Sequence, residues 1–133
     1  MKLRRKTLDK VKVKELITDK LLDVILDSIE CHCIDVSYLG NLRYSLRHCS
    51  KIQQDNINIY EFAFRCKSYL LEFNYFLETR YIPDFDKFRC IIHYTSDKGY
   101  ENIEVGCISL ADTEVEVILE ASNWVLENKK VTE

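Results

Sequence analysis

Glycine and proline are scarce in this chain, with three of the first and only Pro83 of the second among 133 residues. Linkers between domains draw on such residues, so a single domain over residues 1–133 is expected. No apolar run approaches the roughly 20 residues of a membrane-crossing helix, and no membrane partner is expected. Gly40, Gly99 and Gly106 are too scattered to form a phosphate-cradling loop, and no C-x2-C knuckle is present. The basic start, Met1 to Lys6, is followed by Lys, Asp and Glu rather than an apolar stretch. That pattern argues against an export signal and for a cytoplasmic location.

Bases are missing from one long stretch near the end of the sequence. Residues 99–128 contain Glu101, Glu104, Asp112, Glu114, Glu116, Glu120 and Glu127 and no Lys or Arg. Residues 1–14 are the opposite, with seven bases against Asp9; the rest of the chain holds 12 bases against 21 acids. The net charge of -3 hides this asymmetry. An acidic surface repels nucleic acid and steers basic partners. The basic segment 1–14 is read as a solvated, flexible tail.

What is present is enough apolar residue for a core, 47% of the chain. Six cysteines without an export pattern are expected as free thiols, most of them packed in the core. Cys31-His32-Cys33, His48-Cys49 and Cys90 with His93 raise a zinc centre. On a strand, however, Cys90 and His93 face opposite sides, and the side chains of Cys31 and Cys33 project in parallel. No Cys begins a predicted helix, where its thiolate would be stabilised. Asp84 and Asp86 flank Pro83 in a loop and read as a solvated turn. No metal, cofactor or catalytic activity is therefore expected.

Periodicity predicts an α+β domain with an antiparallel sheet in the order α-β-β-β-α-β-β-α. Leu21, Leu22, Ile25, Leu26 and Ile29 share one helical face between Leu8 and Glu30, with Thr18-Asp19 as an internal cap. Alternation over Cys31–Tyr38 and from Arg43 to His48 predicts two strands, and Gln53–Asn56 a polar break. Ile57–Lys67 alternates with Phe and Tyr, which predicts a third strand followed by a helix from Ser68 to Arg80 that Pro83 ends. Ile59, Phe62, Ala63, Cys66, Leu70, Phe73 and Leu77 also make a helical stripe through the same region. Phe88–Tyr94 and Ile103–Cys107 predict a hairpin, with Ser96–Gly99 as its turn. Thr113-Glu114-Val115-Glu116 is a capping box that opens a last helix.

Tyr69-Leu70-Leu71-Glu72-Phe73-Asn74 places Leu70, Leu71 and Asn74 in a Leu-Leu-x-x-Asn pattern. The hairpin Phe88–Leu110 is followed by Thr113–Leu126, with Trp124 near its end. In these features and in element order the chain resembles class I type III secretion chaperones and the related YbjN-like domains. The resemblance implies a homodimer that binds an extended segment of a secreted protein in apolar grooves, partly by strand-like backbone pairing.

A non-enzymatic module that captures another protein is the expected function. Ile34, Val36, Leu46 and the acids Glu101, Glu104, Glu114 and Glu116 are its expected contact residues. The alternative is an immunity or phage-encoded inhibitor that blocks a basic nucleic-acid-processing target or toxin. Arg43, Arg47 and Arg65, with the basic start, are a weaker anion-binding set. The aromatics Tyr44, Phe62, Phe64 and Tyr94 fall on the opposite side of the predicted strands, so base stacking is not supported and nucleic acid is not expected as a partner.

Overall fold

The computed structural model describes residues 8, 10–25, 34–36, 41–45, 54–95 and 102–128; for residues 10, 34–36, 41–45, 54–57, 102 and 109 it describes the backbone alone. The chain forms α1 (Lys10–Leu16), α2 (Asp19–Ile25), β1 (Ile34–Val36), β2 (Asn41–Ser45), β3 (Gln54–Asn58), α3 (Ile59–Leu71), β4 (Tyr75–Ile82), β5 (Lys87–Thr95), β6 (Asn102–Ala111) and α4 (Glu114–Asn128). This is an α+β fold. Its strands make two antiparallel sheets of three, β1-β2-β3 and β4-β5-β6.

α4 is the centre of the packing. Val117, Leu119, Ala121 and Val125 are fully buried, and Val115, Ile118 and Leu126 nearly so. One side meets β4, β5 and β6; another meets α1, α2 and α3. Leu77, Cys90 and Ile92 supply the sheet's share of this core, and Phe62, Cys66 and Leu70 that of α3. Gly106 is required by the close approach of Trp124, because a Cβ there would lie 3.1 Å from the indole ring.

The Thr113 half of the expected capping box forms, and the Glu116 carboxylate meets the Thr113 hydroxyl. The Glu116 backbone N–H donates to Thr113 Oγ1 at 3.2 Å, and the Thr113 hydroxyl donates to Glu116 Oε2 at 2.9 Å. Glu116 is only 1% exposed, and its other oxygen lies 3.6 Å from Lys12 Nζ. Burial opposes the charge on Lys12, but Glu120 and Glu116 outweigh it and hold its pKa above the ordinary lysine value. The internal cap at Thr18 also forms, with the Leu21 N–H donating to Thr18 Oγ1 at 3.2 Å. It divides the first helical region into α1 and α2. The junction is then tied to α4: the Thr18 hydroxyl donates to Asn123 Oδ1, Asn123 Nδ2 to the Leu16 carbonyl, and Lys20 Nζ to the Leu126 carbonyl.

Several boundaries depart from the sequence expectation. Residues 59–67 are helix, not strand; the helix expected from Ser68 ends at Leu71, and residues 75–80 are strand, not helix. The helical stripe Ile59, Phe62, Ala63, Cys66 and Leu70 prevails because all five side chains enter the core together. Asn58 caps the helix by accepting the Tyr60 N–H at 2.8 Å. Asn74, at φ 71°, turns the chain out of it; Asn tolerates that left-handed conformation better than most residues. Gln54–Asn56, expected as part of a polar break, begins β3 and pairs with β2, and β2 begins at Asn41 rather than Arg43. Pro83 lies in the turn between β4 and β5 instead of ending a helix. The basic segment 1–14 is not wholly a tail, since Lys10–Leu16 is helical and Val13 is fully buried.

Thr113→Ala removes the cap and one of the two groups that satisfy a buried carboxylate. A loss of about 1–2 kcal/mol is expected, read as a lower urea midpoint with an unchanged slope.

Candidate functional site

The described residues expose one long, regular strand edge. β4 pairs with β5 over eight consecutive positions, from Tyr75 against Tyr94 to Ile82 against Lys87, with no register shift. Its other side has no strand partner among the described residues. The Thr95 N–H donates to the Asn74 carbonyl at 2.9 Å. In an antiparallel ladder that bond sets the phase. Residues 76, 78, 80 and 82 direct their backbone groups to β5; Tyr75, Leu77, Thr79 and Tyr81 direct theirs to the open edge.

Natural sheets blunt such edges with bulges, proline or charge. β6, at the opposite edge, pairs with β5 through two register shifts. β4 has none, and its eight residues contain no proline.

Exposed apolar side chains occur on β4, on the turn before it and on α3, which packs against β4. Phe76 and Tyr81 of β4 and Phe73 of the preceding turn are exposed. On α3, Tyr60, Phe64 and Leu71 are 56%, 66% and 54% exposed. Their spacing places them on one flank of the helix. α2 packs on the other flank, where Val24, Ile25, Arg65, Ser68, Tyr69 and Glu72 line a shallow cleft of about 220 Å³. That volume is below the roughly 300 Å³ at which small-molecule pockets begin. Phe64, expected in the core, is instead the most exposed of the α3 apolar residues.

The sheet face turned away from α4 carries a polar cluster. Glu78 Oε1 lies 2.8 Å from His93 Nε2, and Arg80 Nε donates to Glu78 Oε2 at 2.8 Å. Hydrogen bonds from Arg80 and His93 hold the Glu78 carboxyl below its ordinary pKa of 4.5. Arg80 stands directly opposite Arg89, whose buried Nε has no hydrogen-bond partner among the described residues.

The expected site residues are dispersed. Leu46, Arg47 and Glu101 lie outside the described residues, and Ile34, Val36 and Arg43 are described by backbone alone, on β1 and β2. Glu104 is exposed on β6, opposite His93. Glu114 accepts the Thr79 hydroxyl, while Glu116 is interior. Asp112 pairs with Lys87, and Glu120 with Lys12. Of the acids that the sequence clusters, Asp112, Glu114, Glu116 and Glu120 are thus engaged by partners from β5, β4 and α1, while Glu104 and Glu127 are exposed. Arg65 pairs with Glu61 one helical turn away. Of the Leu-Leu-x-x-Asn pattern, Leu70 is buried, Leu71 is exposed and Asn74 forms the turn. The helical stripe that predicts helix through residues 75–80 masks the β4 edge in the sequence; the alternation from Tyr75 to Ile82 is the signal for it.

Among the described residues, no three His, Cys, Asp or Glu side chains converge as metal ligands. Burial pushes the Cys66 and Cys90 thiols up to about 12, which keeps both protonated at neutral pH. No described helix is long and apolar enough to cross a membrane. Compared with known proteins, the chain matches no family model, no curated protein and no solved structure.

Brief iodoacetamide treatment and peptide mapping should modify the exposed Cys107 and spare Cys66 and Cys90. The folded pKa of Glu78 is depressed, so the stabilisation from its pairing is complete above the ordinary carboxylate pKa. It is lost as pH falls through the lower folded value. In a carboxyl NMR titration, Arg80→Ala should move the Glu78 midpoint upward.

Proposed function

We propose that this protein is a non-enzymatic protein-binding module that holds an extended polypeptide segment along the open edge of β4. The observation that carries this reading is an unbulged, proline-free, eight-residue edge strand. Added strands gain affinity from main-chain hydrogen bonds and specificity from alternate side chains. Leu77, Thr79 and Tyr81 supply the outward backbone groups. The exposed apolar residues of α3, the turn and β4 supply a surface that favours apolar positions in the captured segment.

The reading agrees with the chaperone-like expectation of polypeptide capture. It moves the contact surface from the predicted strands around Ile34, Val36 and Leu46 to β4 and α3. The inhibitor reading needs an acidic face that stays unneutralised. Glu114, Glu116, Glu120 and Asp112 already engage groups of the same chain, which favours the first reading.

The test is selection of extended peptides from a displayed random library by sparsely tethered full-length protein, so that each copy is isolated. Selected peptides should protect the amides of Leu77, Thr79 and Tyr81 from hydrogen exchange. Thr79→Pro should abolish capture, because it removes an outward N–H at a position where an edge strand tolerates proline. Equal capture by Thr79→Pro, or protection confined to other residues, would refute the edge as the binding site.

A further inference from the structure

We propose that the natural occupant of the β4 edge is a second copy of this chain, paired antiparallel about a two-fold axis at Thr79. The proposal rests on the edge-pairing reading and names its partner.

A two-fold antiparallel pair is isologous, so one strand must complement its own reverse. Read from Phe76 to Ile82, β4 is Phe-Leu-Glu-Thr-Arg-Tyr-Ile. Reversal about Thr79 sets Glu78 against the partner's Arg80, and Arg80 against the partner's Glu78. Phe76 meets the partner's Ile82, Leu77 meets the partner's Tyr81, and Thr79 meets its own copy. Every position has a match in kind: opposite charges, apolar pairs and a threonine pair of the sort that stabilises sheets.

The backbone phase agrees independently. Leu77, Thr79 and Tyr81 are the residues whose amide and carbonyl groups face outward, as the Thr95–Asn74 bond requires. Centring on Thr79 sets outward residues against outward residues throughout. It also leaves Glu78 and Arg80 at non-hydrogen-bonded positions, where facing side chains come closest. Moving the axis one residue would set Glu78 against Glu78, or Arg80 against Arg80. Half-residue shifts would set outward groups against groups already bonded to β5.

The neighbouring strand adds a second argument. Within one chain Arg80 stands opposite Arg89, and like charges in that relation repel. The dimer would place the partner's Glu78 on the other side of Arg80, giving the row Arg89, Arg80, Glu78 across the join. The two sheets would merge into one of six strands, with β4 and the partner's β4 at the centre.

Sedimentation of the full-length protein over a dilution series tests this. Wild type should form a dimer. Glu78→Arg and Arg80→Glu, each folded by circular dichroism, should each weaken it about tenfold or more, since two attractive pairs become repulsive. An equimolar mixture of the two variants should form a heterodimer, because each then supplies the charge that the other lacks. The double variant E78R/R80E should recover self-association. A wild type that stays monomeric throughout would overturn the proposal, as would single variants that dimerise with wild-type affinity or a mixture that does not recover. If wild type is monomeric and sparsely tethered protein still captures peptides in a Thr79→Pro-sensitive way, the second-copy inference fails and the edge reading stands. If neither self-association nor peptide capture occurs, both fail.

Discussion

The near-complete burial of α4 is the constraint on which the rest of the structure depends. Most short helices bury one stripe, but this one must satisfy a sheet on one side and three helices on another. Its sequence suits that place: Val115, Val117, Ile118, Leu119, Ala121, Val125 and Leu126 leave little polar surface. The polar groups it buries are matched locally. Glu116 takes the Thr113 hydroxyl and faces Lys12, and the Ser122 hydroxyl donates to the Ile118 carbonyl. A charge in that interior is tolerable only because of such partners.

That packing fixes what remains exposed. α4 covers one face of the β4-β5-β6 sheet and leaves the other to Glu78, Arg80, Arg89 and His93. It draws α3 in through Phe62, Ala63, Cys66 and Leu70, which turns Tyr60, Phe64 and Leu71 outward. The turn at Asn74 after α3 then launches β4 along the rim of the sheet, where one row of backbone groups has no strand to meet among the described residues. The binding reading follows from this arrangement, since an open ladder and an apolar flank both lower their free energy by accepting another strand.

Local chemistry was legible where one signal acted alone. The caps at Thr18 and Thr113, the strands around Phe88–Tyr94 and Ile103–Cys107, and the inward face of α4 all follow from short-range periodicity and hydrogen bonding. The region from Ile57 to Arg80 was not legible, because two periods coexist there. Phe62 and Phe64 fit an alternating strand, while Ile59, Phe62, Ala63, Cys66 and Leu70 fit a helix. Only the core, which accepts the second set and excludes Phe64, separates the two. The alternating pattern sets the expected helix about two and a half turns too late and hides β4, and with it the candidate site. The acidic cluster misled for a related reason. Charges adjacent in sequence looked like a surface, yet Lys12, Thr79 and Lys87 reach them from distant parts of the chain.

The sequence by itself determined the α+β class, the caps, the closing hairpin and helix, and the palindromic order of residues around Thr79. Each is a property of neighbouring residues, written in spacings of two, three or four. Tertiary structure alone decided which of two competing periods residues 59–71 obey, which carboxylates are neutralised, and that β4 lies at an edge rather than between strands. Those outcomes depend on contacts between residues far apart in the chain, and a local pattern carries no record of them.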